Sequence, residues 1–211
     1  MAPTEWYRRG IRLLGRTAVE CTRDALGDRI GRSVASVTDE LARTIHFTVI
    51  DPFAGSCNTL YWILRHVPNS EGLAFESQSR VYELSGYSVA RLDRMIELVQ
   101  GDYQSHIASH PLPPEHGLVI FVAPPWGIAL DETKGLDLRL TTPPVADIVA
   151  HFKHIYAGRK ILFAIQVHEK LNPASLSDVR ALLDWSEVQV YDINAAGRNH
   201  GLLMGGCDWK P

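Results

Sequence analysis

Three acids in this chain each follow an apolar run, at positions that match the hydrogen-bonding needs of a nucleoside. The first opens the turn Asp51-Pro52-Phe53-Ala54-Gly55-Ser56-Cys57-Asn58-Thr59. Glycine in such a turn lets the backbone approach a ligand closely, and the amides that start the next helix suit a carboxylate or a phosphate. The pattern is neither G-x-G-x-x-G nor G-x-x-x-x-G-K-[ST], so a dinucleotide or a P-loop phosphate is poorly matched. Glu76 comes 25 residues after Asp51, where a carboxylate can accept hydrogen bonds from both hydroxyls of a ribose. Asp102, in Val99-Gln100-Gly101-Asp102-Tyr103, can take the adenine amino proton while Tyr103 flanks the ring. One such acid reads as a solvated strand end; three in chain order, each after its own strand, point to one ligand.

A fourth motif, Phe121-Val122-Ala123-Pro124-Pro125-Trp126-Gly127, closes the most apolar run. Two prolines fix φ and remove amide donors, which leaves the carbonyls before them as acceptors. Trp126 then offers a flat face on which a planar substrate can stack. Other polar groups carry less. His151 and His154 have the i, i+3 spacing of one helix face, but no third ligand of clear spacing joins them, and a solvated face is expected. His168-Glu169 follows a strand and could act as a base, although a surface turn fits it better. Asp137 and Arg139 either pair with each other to brace the loop after Trp126, or leave Arg139 for an anionic substrate. Cys57 has no histidine neighbour in the sequence that would make it a nucleophile. No metal is expected.

The elements that must hold these residues alternate. The patterning predicts strands at 46–50, 73–76, 95–99, 118–122, 160–167, 186–193 and 201–205, with helices at 59–66, 80–91, 145–156 and 175–183 between them. Short apolar strands separated by helices predict an α/β, doubly wound, mostly parallel seven-stranded sheet covered on both faces. Ligands of such sheets bind beyond the carboxyl ends of the strands, and each motif above falls at such an end. The first 45 or so residues read as helical, broken near Gly27 and Gly31, with cap residues at Ser36 to Glu40 before a further apolar-periodic stretch. The expected organisation is an N-terminal helical segment, 1–45, roofing the site, and a ligand-binding domain over 46–211.

Composition bounds the rest. The 211 residues are 45% hydrophobic and 21% charged, which is ordinary globular usage. No apolar run reaches the ~20 residues of a membrane span, and no cleavable signal is read at the start. Cys21, Cys57 and Cys207 are odd in number and far apart, which suits a reducing compartment and predicts a cytoplasmic protein. Net charge is −3, but residues 1–32 hold seven Arg against Glu5, Glu20, Asp24 and Asp28. That basic stretch reads first as an exposed helical face and second as a phosphate contact.

The paired motifs D-P-F-A-G-S-x-N-T and x-P-P-W resemble the amino-methyltransferases of the class I, Rossmann-like S-adenosylmethionine-dependent superfamily. Ala123-Pro124-Pro125-Trp126-Gly127 followed by Leu136-Asp137-Leu138-Arg139-Leu140-Thr141-Thr142-Pro143 is similar to trimethylguanosine synthase, over about 33–207. That family methylates the exocyclic amine of a capped guanine. The resemblance implies that Asp51 and Gly55, with Phe53, Asn58 and Thr59 of the same turn, line the methionine end of S-adenosylmethionine. Glu76 would hold its ribose, and Asp102 and Tyr103 its adenine. Ala123, Pro124 and Trp126 would act at the reacting amine, and Pro125, Trp126 and Arg139 on the substrate. The product from the cofactor would be S-adenosylhomocysteine.

Two positions depart from the family pattern. Cys57 replaces the last glycine of the first motif, and Ala123 replaces the Ser, Asn or Asp whose side chain accepts from the target amine. Three functions therefore stay open: N-methylation of a planar amino-heterocycle of guanine-like or natural-product type, methylation of guanine in RNA, and cofactor binding without catalysis.

Overall fold

The computed structural model describes residues 21–131, 133–192 and 199–209. The surface helix read at 1–16, most of the arginine-rich stretch and the end of the strand expected at 193 lie outside these residues. The described chain divides after Gly117 into two compact units.

In the first unit, β1 (Phe47–Asp51) is buried at every position, as a strand covered on both faces must be. It pairs in parallel with β2 (Ser70–Glu76), Asp51 opposite Ala74, and β2 pairs in parallel with β3 (Ile96–Gln100), Glu76 opposite Gln100. Parallel pairing brings three carboxyl ends to one edge. Helix α2 (Asn58–His66) crosses from β1 to β2 and packs against both, and α3 (Ser79–Val89) crosses from β2 to β3. A short α4 (Tyr103–His106) starts after β3.

Helix α1 (Asp24–Ala42) corrects the sequence expectation, because it runs unbroken through Gly27 and Gly31. Those glycines mark packing rather than a break. A Cβ on Gly27 would stand 2.6 Å from Trp62 Cδ1, and one on Gly31 2.5 Å from the Trp62 carbonyl oxygen. Four residues apart, they share the face of α1 that lies on α2. Ile30 and Val34 continue that buried face, and polar contacts fix its register: Trp62 Nε1 donates to Asp24 Oδ1 at 3.1 Å, and His66 Nε2 lies 2.8 Å from Asp28 Oδ1.

From Leu118 the chain is in the second unit, where β4 (Gly117–Val122), fully buried, pairs in parallel with β7 (Ile161–His168) from Leu118 on. A two-stranded hairpin, β5 (Leu130–Asp131) and β6 (Gly135–Leu136), follows the proline-tryptophan motif. Helix α5 (Val145–Ile155) and helix α6 (Pro173–Arg180) flank β7 in the chain. Strand β9 (His200–Cys207) runs antiparallel between β7 and β8 (Trp185–Tyr191). The seven longer strands form one mostly parallel sheet in the order β3-β2-β1-β4-β7-β9-β8, the α/β architecture expected. No helix among the described residues is long and apolar enough to cross a membrane.

Candidate active site

In the first unit, the ends of β1 and β2 are tied through one carboxylate. Glu76, only 9% exposed, accepts from the amide of Gly55 at 3.0 Å and, through its other oxygen, from the amide of Gln78 at 2.7 Å. Ser85 of α3 holds the Gly55 carbonyl from the other side at 2.6 Å. Gly55 needs its φ of +49°, and a Cβ there would meet nothing nearer than 4.0 Å. The loop therefore presents open backbone beside a buried carboxylate whose remaining lone pairs can still accept hydroxyl donors.

Asp51 is 2% exposed and accepts from the Phe53 amide at 3.0 Å. Burial pushes its carboxyl up to about 7, against the pull of that amide; the charge of Glu76 adds to the rise. Cys57 stands at φ +60°, the left-handed conformation that glycine adopts without strain. A non-glycine residue there costs of order 1–3 kcal/mol in backbone strain, offset in part by full burial of the side chain. Burial, then the Asp51 and Glu76 carboxylates, hold the thiol well above its ordinary range, so it stays neutral and is no nucleophile.

Asn58 is buried, and its Nδ2 donates to the Thr22 carbonyl at 2.6 Å and to Asp24 Oδ1 at 3.3 Å. It pins the segment ahead of α1 onto the first turn of α2. Thr59 is buried at 6%. Tyr103 is not an open ring face: it is 1% exposed and lies beneath half-buried Phe53, ring centroids 5.6 Å apart and edge-on. Phe53 is the ring left at the surface. Asp102 is exposed and caps α4, one oxygen accepting from Gln104 N at 2.8 Å, which leaves the other for a ligand.

In the second unit, the motif after β4 meets two histidines. Trp126 is half-buried and stacks on His200, centroids 5.4 Å apart at 27°, while His168 meets it edge-on at 6.0 Å. His168 is the last residue of β7 and 6% exposed, not the surface turn expected. Its Nδ1 accepts from the Lys170 amide at 3.1 Å, which places the proton of the neutral ring on Nε2. Gln166 Nε2 lies 3.4 Å from His200 Nδ1. Pro124 is buried, Ala123 half-buried and Pro125 exposed.

The sequence pattern missed His200 for a topological reason. A strand that starts at this edge must run against its neighbours, and nothing local in 200–207 announces that direction; the register then sets His200 opposite His168. Arg139 resolves toward bracing: its guanidinium makes paired bonds to Asp137 at 2.9 and 2.6 Å, which hold that carboxyl below its usual range. The pair braces the loop, and the Arg139 side chain stays about half-exposed, 48%. Glu169 is exposed and accepts from Asn199 Nδ2 at 3.0 Å, a bond that lowers its carboxyl and makes it a weaker base.

No protein-family model matches the chain, and no curated protein matches it. Solved structures share its fold. The methyltransferase domain of METTL16 superposes with TM-score 0.60 at 13% identity, over 86% of this chain and 82% of that one. Precorrin-6y C5,15-methyltransferase of Geobacter metallireducens gives 0.54 at 12% identity, over 95% and 94%. A Listeria monocytogenes protein assigned as a class I S-adenosylmethionine-dependent methyltransferase gives 0.54 at 15% identity, over 87% and 62%. The chain thus has the Rossmann-like fold of these methyltransferases.

Proposed function

We propose that this chain is an S-adenosylmethionine-dependent methyltransferase acting on the amino group of a planar, guanine-like heterocycle. The observation that carries the reading is the Glu76 carboxylate, buried at the end of β2 and holding the amide of an open-faced Gly55. These residues fit the cofactor. Free lone pairs on Glu76 suit the ribose hydroxyls, the second oxygen of Asp102 suits the adenine amine, and Phe53 offers the ring its edge. Buried Asp51 suits the cationic methionine end.

S-adenosylmethionine, when bound, supplies a methyl group activated by the sulfonium. An aromatic amine needs alignment more than prior deprotonation, and positioning can supply up to ~7–11 kcal/mol in favourable systems. Trp126, backed by His200, stacks the base on its remaining face. The Ala123 carbonyl, freed by Pro124, accepts from the amine and turns its lone pair; alanine at 123 leaves no side chain for this task. The Nε2–H of His168 donates to a ring nitrogen beside the amine, as N3 stands beside the exocyclic amine of guanine. The likeness of P-P-W and D-L-R to trimethylguanosine synthase supports the same substrate class. Three free cysteines fit a reducing cytoplasm.

An RNA substrate is the second reading, favoured by exposed Arg23 and Arg29 on and beside α1. The test is calorimetry with S-adenosylmethionine, followed by a turnover screen over free nucleosides, heteroaromatic amines and short capped RNAs. Trp126→Ala should lower kcat/KM about 5- to 150-fold, the worth of one base stack, with cofactor affinity retained. Unchanged kinetics in that variant would remove the stacking role. Micromolar cofactor binding with no turnover on any acceptor would make the chain a binding protein, and no binding at all would end the proposal.

A further inference from the structure

The edge of the first unit opposite to Asp51 and Glu76 carries a second set of chemically able side chains. His46 immediately precedes β1, Glu71 is the second residue of β2, and His116 immediately precedes Gly117. One ligand atom from each lies within 4.8 Å of the other two. The backbone fixes this convergence. Gly117 donates its amide to the His46 carbonyl at 2.9 Å, and Glu71 sits in register with Thr48. The two imidazole rings are 4.5 Å apart at centroids, tilted 37°.

We propose that His46, Glu71 and His116 bind a divalent transition metal of the zinc class, joining the starts of three strands. Hydrogen bonding within the protein does not explain the cluster. His46 Nε2 is buried and finds no partner among the described residues, although a buried ring nitrogen is normally paired. The His116–Glu71 approach, Nδ1 to Oε1 at 3.8 Å, is too long for a hydrogen bond. Metal ligation accounts for both facts, because it takes the lone pair of His46 and draws the carboxylate in. Thr48 Oγ1 lies 3.0 Å from His116 Nδ1 and fixes the orientation of that ring.

The donor set selects the ion. Two imidazoles and one carboxylate suit zinc, cobalt, nickel or copper, whereas calcium and magnesium take oxygen ligands. Bonds of about 2.0–2.2 Å place tetrahedral ligands roughly 3.3 Å apart, so the side chains must close inward. Glu71 can do so, with a side chain 35% exposed. Three protein ligands leave a fourth position for water. The site lies at the strand starts of the first unit, so its loading is independent of cofactor binding at the strand ends. The sequence shows no trace of it, for the ligands are 25 and 45 residues apart and match no metal spacing.

The test uses the full chain, stripped with a chelator and dialysed against zinc chloride. The expected result is one zinc per chain by elemental analysis, a visible-range spectrum on cobalt substitution, and a melting temperature raised by zinc and lowered by chelator. His46→Gln and Glu71→Gln should each weaken zinc binding more than about tenfold, while calorimetric affinity for S-adenosylmethionine holds. Should His46→Gln fail to fold, Glu71→Gln on its half-exposed side chain decides alone. Zinc retained equally by both variants, or no zinc retained by the unaltered chain, would overturn the proposal.

Discussion

A buried aspartate at the end of β1 sets a measurable pH dependence. The carboxyl of Asp51 lies near 7 in the folded chain and at about 3.9 when unfolded. Between these values the native state holds a proton that the unfolded chain has lost. Stability therefore falls as pH rises from about 4 to about 7, with a slope of at most ~1.4 kcal/mol per pH unit, and levels off above. Denaturant titrations across this range should show the decline for the unaltered chain and its absence in Asp51→Asn. A decline of equal slope in the variant would place the proton elsewhere. A cationic ligand favours the charged carboxylate, so affinity for S-adenosylmethionine should rise with pH up to about 7. The position of Asp51 was legible from D-P-F-A-G; its proton was not, because it depends on burial by residues far away in the chain.

At the scale of the element, local chemistry and tertiary demand can be told apart. Helix α6 starts on Asn172, whose Oδ1 accepts from Ala174 N at 3.0 Å and Ser175 N at 3.2 Å, with Pro173 at the first helical position. Asn172→Ala should cost about 1 kcal/mol, within the ~0.5–2 range for lost caps, and lower the melting temperature without changing cofactor affinity; an unchanged melting temperature would show that the cap adds nothing. Such signals made strands and helices readable to within a few residues: β4 was expected at 118–122 and spans Gly117–Val122, and α5 was expected at 145–156 and spans Val145–Ile155. The apolar run is continuous where a strand is wholly buried, as in β4. Gly27 and Gly31 misled because glycine weakens an isolated helix, while here the ring and backbone of Trp62 occupy the space a side chain would need. That cost is met between helices, not within one, and periodicity along one helix does not reveal it.

For the whole molecule, the balance between a small substrate and a nucleic acid is an electrostatic question. The chain carries −3 overall, and Arg32 is already paired with Asp28 at 2.9 Å. A small-molecule enzyme should show KM nearly independent of salt, whereas phosphate contacts impose a steep log–log loss. Kinetics from 50 to 200 mM salt on the best nucleoside and the best RNA would separate the two, and a steep slope on RNA would favour the second reading. The motifs that resemble those of methyltransferases were legible because their residues adjoin in the chain. The Trp126, His168 and His200 cluster was not, since it exists only after β9 reverses direction. That reversal also bears on synthesis: β8 leaves the ribosome before β9, yet reaches β7 only through it. Until 200–207 emerge, a nascent chain exposes the edges of β7 and β8 that β9 will cover, open to pairing with other chains, so final folding of this unit waits on its last strand.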